Sequence, residues 1–157
     1  MFYLANLVWY WGWHRRPLQK SCWRSCGSAG AIACGNSTTL IDHCTIEGNK
    51  ALITTETTLC GTNAGLLFSG SDVMLNDTLI EGNETLNAAA ICVLYDSKVE
   101  VNRCNIRRNH AQSVFFSGNY RGGEYAGIAI GDSSEVTMNN VTLNDNLADD
   151  VLQLMQR

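Results

Sequence analysis

At 157 residues, with 45% of them hydrophobic, the chain has the length and apolar content of one domain with a continuous core. A formal net charge of -4 speaks against the clustered basic face that neutralises phosphates, so no nucleic-acid partner is expected. Fourteen glycines against one proline, only 17% charged residues and fifteen asparagines suit many tight turns between short strands.

Residues 1–28 form an apolar, Trp-rich N-terminal segment whose first thirteen residues precede His14-Arg15-Arg16-Pro17. A secretory signal carries its positive charge before the apolar run and a small-residue cleavage site after it; here the order is reversed. Thirteen residues are also too few to span a bilayer, which takes about twenty. The segment is read as a cap packed on the remainder of the chain, an interfacial anchor or an atypical leader, and any membrane association is expected through it alone. Seven cysteines leave at least one unpaired in a monomer, and Cys22 and Cys26 are close enough to pair in an oxidising compartment. His14, His43 and His110 have no cysteine or carboxylate partners at metal-site spacing. No metal and no cofactor are expected.

Residues 29–148 contain an internal repeat. Thr39-Leu-Ile-Asp-His-Cys-Thr-Ile-Glu-Gly-Asn49 aligns without a gap on the segments that begin at Val73, Val99 and Val136 and end at Asn83, Asn109 and Asn146. Thr39, Val73, Val99 and Val136 share one column. Ile41, Leu75, Val101 and Met138 share the next, two residues on, which is the period of a strand with one buried face. Two polar positions turn the chain. Cys44, Thr78, Cys104 and Val141 then begin a second inward pair, completed by Ile46, Ile80, Ile106 and Leu143. The closing column is Asn49, Asn83, Asn109 and Asn146, where asparagine tolerates left-handed backbone and stacked amides can hydrogen-bond from coil to coil. Upstream, Gly30-Ala31-Ile32, Gly65-Leu66-Leu67, Ala90-Ile91-Cys92 and Gly127-Ile128-Ala129 supply a small residue and a third short strand. The units start 34, 26 and 37 residues apart. The pattern predicts an all-β chain, a right-handed parallel β-helix (solenoid) of about four coils; a leucine-rich repeat fails for want of leucines at fixed offsets.

In-order stacking places outward residues of one column about 4.8 Å apart, where charges should alternate in sign. Asp72 falls over Lys98 and then Glu135, Asp77 over Arg103, Glu81 over Arg107 and Arg108 over Asp145; Glu47 over Glu81 is the exception. These charges are expected to be surface ladders, with no catalytic residue among them. Cys44 and Cys104 lie two coils apart, too far for a disulfide, and are expected as buried free thiols.

The Gly30-Ala31-Ile32 start and the Ile46-Glu47-Gly48-Asn49 ending resemble the repeat of polymorphic outer membrane proteins. The likeness covers about residues 29 to 148 and extends to the right-handed β-helix, or pectin-lyase-like, superfamily. It departs from the family pattern where Phe is replaced by Ile46, Ile80, Ile106 and Leu143. The resemblance implies a non-enzymatic surface or extracellular module for adhesion or scaffolding, secreted or at the cell surface, with polysaccharide or another surface protein as partner. The superfamily's lyases, hydrolases and epimerases make a polysaccharide-active domain the alternative. Against it, the outward column Asp42, Asn76, Asn102, Asn139 holds a single carboxylate, poor chemistry for calcium. Four sequons begin at Asn36, Asn76, Asn83 and Asn140.

The longest connection, residues 112–125, puts Phe115, Phe116, Tyr120, Arg121 and Tyr125 among glycines, and is the expected binding segment. The alternative is that Phe115 and Phe116 fold back over the coil side. Residues 147–157 can form a short helix with Leu147, Val151, Leu154 and Met155 on one side, of which 149–157 are expected to cap the last coil.

Overall fold

The computed structural model describes residues 7–8, 30–51, 65–86, 88–116 and 119–149. A first strand, β1 (Leu7–Val8), precedes a pattern of four short strands laid down four times. The first coil comprises β2 (Ile32–Gly35), β3 (Thr38–Asp42), β4 (Thr45–Glu47) and β5 (Lys50–Ala51). The second comprises β6 (Leu66–Ser69), β7 (Asp72–Asn76), β8 (Leu79–Glu81) and β9 (Glu84–Thr85). The third comprises β10 (Ile91–Leu94), β11 (Lys98–Asn102), β12 (Asn105–Arg107) and β13 (His110–Ala111). A hairpin, β14 (Ser113–Phe116) and β15 (Asn119–Gly122), separates it from the fourth, which comprises β16 (Ile128–Ile130), β17 (Glu135–Asn139), β18 (Thr142–Asn144) and β19 (Leu147–Ala148).

Every coil strand pairs in parallel with its counterpart one coil away, so each side of the coil is a four-stranded sheet. β1 adds an antiparallel fifth strand to one of them, with Leu7 opposite Ile46 and Val8 opposite Thr45. The architecture is a parallel β-helix of four coils. Its register matches the sequence columns: Thr39, Val73, Val99 and Val136 stack, as do Ile41, Leu75, Val101 and Met138, and Ile46, Ile80, Ile106 and Leu143. Leu66, Phe68, Leu75, Ile80, Ile91, Val93, Val101 and Ile106 are fully buried along the axis. Each contributes about 1.5–3 kcal/mol of transfer free energy.

Two details differ from the sequence pattern. Each coil has a fourth strand after the asparagine, two residues long, whose second residue, Ala51, Thr85, Ala111 or Ala148, takes one column. In the first coil the small residue before β2 is Ala31, not Gly30, because Ile32 pairs with Leu66. A slip by one would turn Ile32 and Cys34 away from the core. At the same column a Cβ on Gly65 would collide with the carbonyl of Ala90 in the next coil.

Each corner is made by left-handed backbone. His43, Asp77, Arg103 and Asn140 have φ of 47–54° at one corner, and Gly48, Gly82, Arg108 and Asp145 have φ of 54–64° at another. The asparagine column therefore does not supply the left-handed residue, as its sequence suggested. That residue comes one position earlier, and the turn it makes leaves Asn83 and Asn109 completely buried.

Candidate functional site

The asparagine column is a directional ladder. The backbone N–H and the Nδ2 of Asn49 both donate to Oδ1 of Asn83, at 3.1 and 2.9 Å. Asn83 does the same to Asn109, and Asn109 to Asn146. The second Nδ2 hydrogen of Asn83, Asn109 and Asn146 reaches back to the carbonyl of Ile46, Ile80 and Ile106. In the middle coils both amide donors are used, and the oxygen accepts twice. Burying an amide costs nothing net only under such full pairing.

Two further ladders are less obvious in the sequence. Ser37, Ser71 and Ser97 each donate a backbone N–H to the hydroxyl of the next serine in the column, which ends at Ser134, at 3.1–3.2 Å. The signal was a serine two residues before each Thr39, Val73, Val99 and Val136. On the outer face Asn139 donates to Asn102 at 2.9 Å and Asn102 to Asn76 at 3.0 Å, in the column that begins with Asp42. The corner column Cys44, Thr78, Cys104 has a common task as well. Each thiol or hydroxyl donates to the carbonyl two residues back, at 3.2, 2.7 and 3.2 Å. Burial pushes the Cys44 and Cys104 thiols up from their ordinary range.

The densest group of titratable side chains is on this same corner. Arg103 clamps Asp77 with Nε at 2.8 Å and Nη2 at 2.6 Å. His43 lies between two carboxylates, with Nδ1 at 3.0 Å from Asp42 and Nε2 at 3.9 Å from Asp77. The hydrogen bond from Arg103 holds the Asp77 carboxyl below its usual range. Asp42, His43 and Asp77 bring three metal-ligand atoms within 4.8 Å of one another, a grouping that sequence spacing hid. A cation there would compete with Arg103 for both Asp77 oxygens. Asp42 and His43 are exposed and Asp77 is half-buried, and the group lies where coil stacking puts it.

The charge ladders are partly as expected. Asp77 with Arg103 and Glu81 with Arg107 close, the latter at 2.9 Å. Asp72, Lys98 and Glu135 are in register, but among the described residues Lys98 makes no ion pair within 4.0 Å. Arg108 bonds Glu81 at 3.0 Å in place of Asp145, because its long side chain reaches back toward the carboxylate that Arg107 already holds in place. The fourth-strand corner adds Lys50 with Glu84 at 2.8 Å and His110 with Asp149 at 2.8 Å.

The expected binding segment is a β-hairpin, not an irregular loop. Phe115 stands opposite Tyr120, Phe116 opposite Asn119 and Val114 opposite Arg121. Tyr125 lies beyond the hairpin, exposed, and bridges Ala88. Cys34, Cys44, Cys92 and Cys104 are free, as expected of Cys44 and Cys104, and burial pushes Cys92 up to about 11. Leu147, expected on the capping helix, lies instead in β19, paired with His110; Cys22, Cys26, the rest of that helix beyond Asp149 and all of the N-terminal segment except Leu7 and Val8 lie outside the described residues. Of the sequon asparagines, Asn83 is sealed inside the ladder, so the folded chain offers no amide there for modification. No family model, curated protein or solved structure matches this chain.

Proposed function

We propose that the chain works at the cell surface or outside the cell as a non-enzymatic β-helix module for adhesion or scaffolding, engaging polysaccharide or another surface protein. The observation that most supports this reading is the use made of its polar columns. The Asn, Ser and Cys/Thr columns are all spent on joining coil to coil or closing corners, and the main charged corner is tied up by Arg103. A chain so organised invests its chemistry in a rigid rod. The likeness to polymorphic outer membrane protein repeats and to pectin-lyase-like proteins belongs to this proposal. It rests on the repeat endings, whose asparagine has a structural reason that any β-helix can share.

A polysaccharide-active domain is the second reading, favoured by the Asp42, His43 and Asp77 grouping. Incubating the purified protein with pectate, polygalacturonate and alginate, with and without calcium, separates the two. The expected result is no cleavage and no epimerisation. Turnover that disappears on Asp42→Asn or Asp77→Asn replacement would establish the enzyme and end the scaffold reading.

A further inference from the structure

The fourth coil ends the described stack with its core open. Ile130, Met138 and Leu143 occupy the inward columns of Val93, Val101 and Ile106, yet they are 52%, 48% and 48% exposed where those three are 0%. Among the described residues no strand pairs with the far edges of β16, β17, β18 and β19. Unpaired parallel edges beside exposed apolar side chains are a template for another strand.

The rim of this face has a single sign. Residues 122–149 contain Glu124, Asp132, Glu135, Asp145 and Asp149, and no lysine, arginine or histidine. Among the described residues only Asp149 has a cationic partner within 4.0 Å, His110. Inside the stack, acids sit one rung from bases, as Asp77 does from Arg103 and Glu81 from Arg107. By that rule a following rung would carry bases opposite Glu135 and Asp145.

Residues 1–29 have the complementary make-up. They hold Arg15, Arg16, Lys20 and Arg24, all four tryptophans and no acidic residue. Both described neighbours of this basic stretch, β1 on β4 and Gly30 before β2, lie on the first coil, at the opposite end of the stack. We propose that the open acidic face of the fourth coil receives the basic, Trp-rich N-terminal end of a second copy, so that the chain associates head to tail. Such an interface joins two different surfaces and leaves one of each free on every dimer, so association continues into linear oligomers. Apolar contact and strand edges supply the adhesion, and the charges select the end and the orientation.

Sedimentation velocity on the full chain, across protein concentration and in low and high salt, tests this. Low salt should give a mass that rises with concentration, and high salt should weaken association at least tenfold by screening. Glu135→Lys with Asp145→Lys should give a folded monomer. Both residues are exposed, and at the Asp145 corner Arg108 shows that a long cationic residue accepts the left-handed backbone. Arg15→Glu with Arg16→Glu should also give a monomer. Combining all four changes should restore self-association, which no loss of folding could mimic. A wild-type chain that stays monomeric in low salt, as it would if its own N-terminal segment or residues 150–157 covered the face, overturns the proposal. So does association indifferent to either charge reversal, or a folded four-fold variant that remains monomeric. The readout is mass, so the outcome is independent of whether the module adheres to polysaccharide.

Discussion

The middle coils and the fourth coil are written in the same repeat, yet the same columns behave oppositely in them. Val101 and Ile106 are sealed, whereas Met138 and Leu143 are about half exposed. The difference does not lie in the residues, which are comparably apolar, or in their strands, which pair in register. In a solenoid, burial comes from the rung on either side, so a residue's worth depends on its place in the stack.

Matched substitutions in the two regions test that contrast. The largest effect is expected in the amide ladder. Asn109→Ala removes the acceptor for two donors of Asn83 and the donor to Ile80, all buried, and should cost about 3–5 kcal/mol in denaturant unfolding. Asn146→Ala, at the half-buried end of the same ladder, should cost about 1–2 kcal/mol because water can replace part of what is lost. Equal losses at the two positions would break the comparison. Next comes the apolar column: Ile106→Ala should cost about 3 kcal/mol, and Leu143→Ala about 1 kcal/mol, by the same measurement. If Leu143 proved as costly as Ile106, the last coil would be covered in solution.

The smallest effect concerns charge and pH. Asp77 is held below its ordinary value by the hydrogen bond from Arg103, and Glu81 by the hydrogen bond from Arg107, with Arg108 adding to it. Carboxyls with lowered folded values contribute stability that is complete above the unfolded range, about pH 4–5, and is lost as pH falls through the folded values. The melting temperature should therefore decline on the acid side below about pH 4. Arg103→Gln with Arg107→Gln should lower the neutral-pH melting temperature slightly, since these are surface pairs, and flatten the acid decline by that same amount. An acid limb that is unaltered in the variant would show that these bridges do not set it.

Much of the architecture was readable from the columns. Period-two alternation of Val73 with Leu75, or Val99 with Val101, fixes both the face and the register, because a slip by one reverses every side chain. The fourth strand was not readable: Lys50-Ala51 and Glu84-Thr85 are two residues long, and no period exists over two residues. The left-handed corner was misplaced onto the asparagine because intrinsic preference was weighed without the competing demand of the ladder, which needs that amide inside. Arg108 shows the limit of column reasoning for charges. Register sets which residues are neighbours, and the reach of a long side chain then selects among them. The hairpin carried its own signal in the Ser117-Gly118 pair, a turn dipeptide set between two short runs that contain Phe115, Phe116 and Tyr120. The Asp42, His43 and Asp77 grouping depended on two adjacent corners in space, which only stacking reveals.

The ladder also bears on mechanics. Its bonds from Asn49 to Asn146, like the strand rungs beside them, run along the stacking axis. A pull between the two ends of the stack therefore loads the rungs in series, and they peel singly instead of shearing together. Each rung released frees the 34, 26 or 37 residues to its neighbour, roughly 90–130 Å of slack at ~3.4 Å per residue. The stack is thus extensible under tension, with a step length set by the connections between coils.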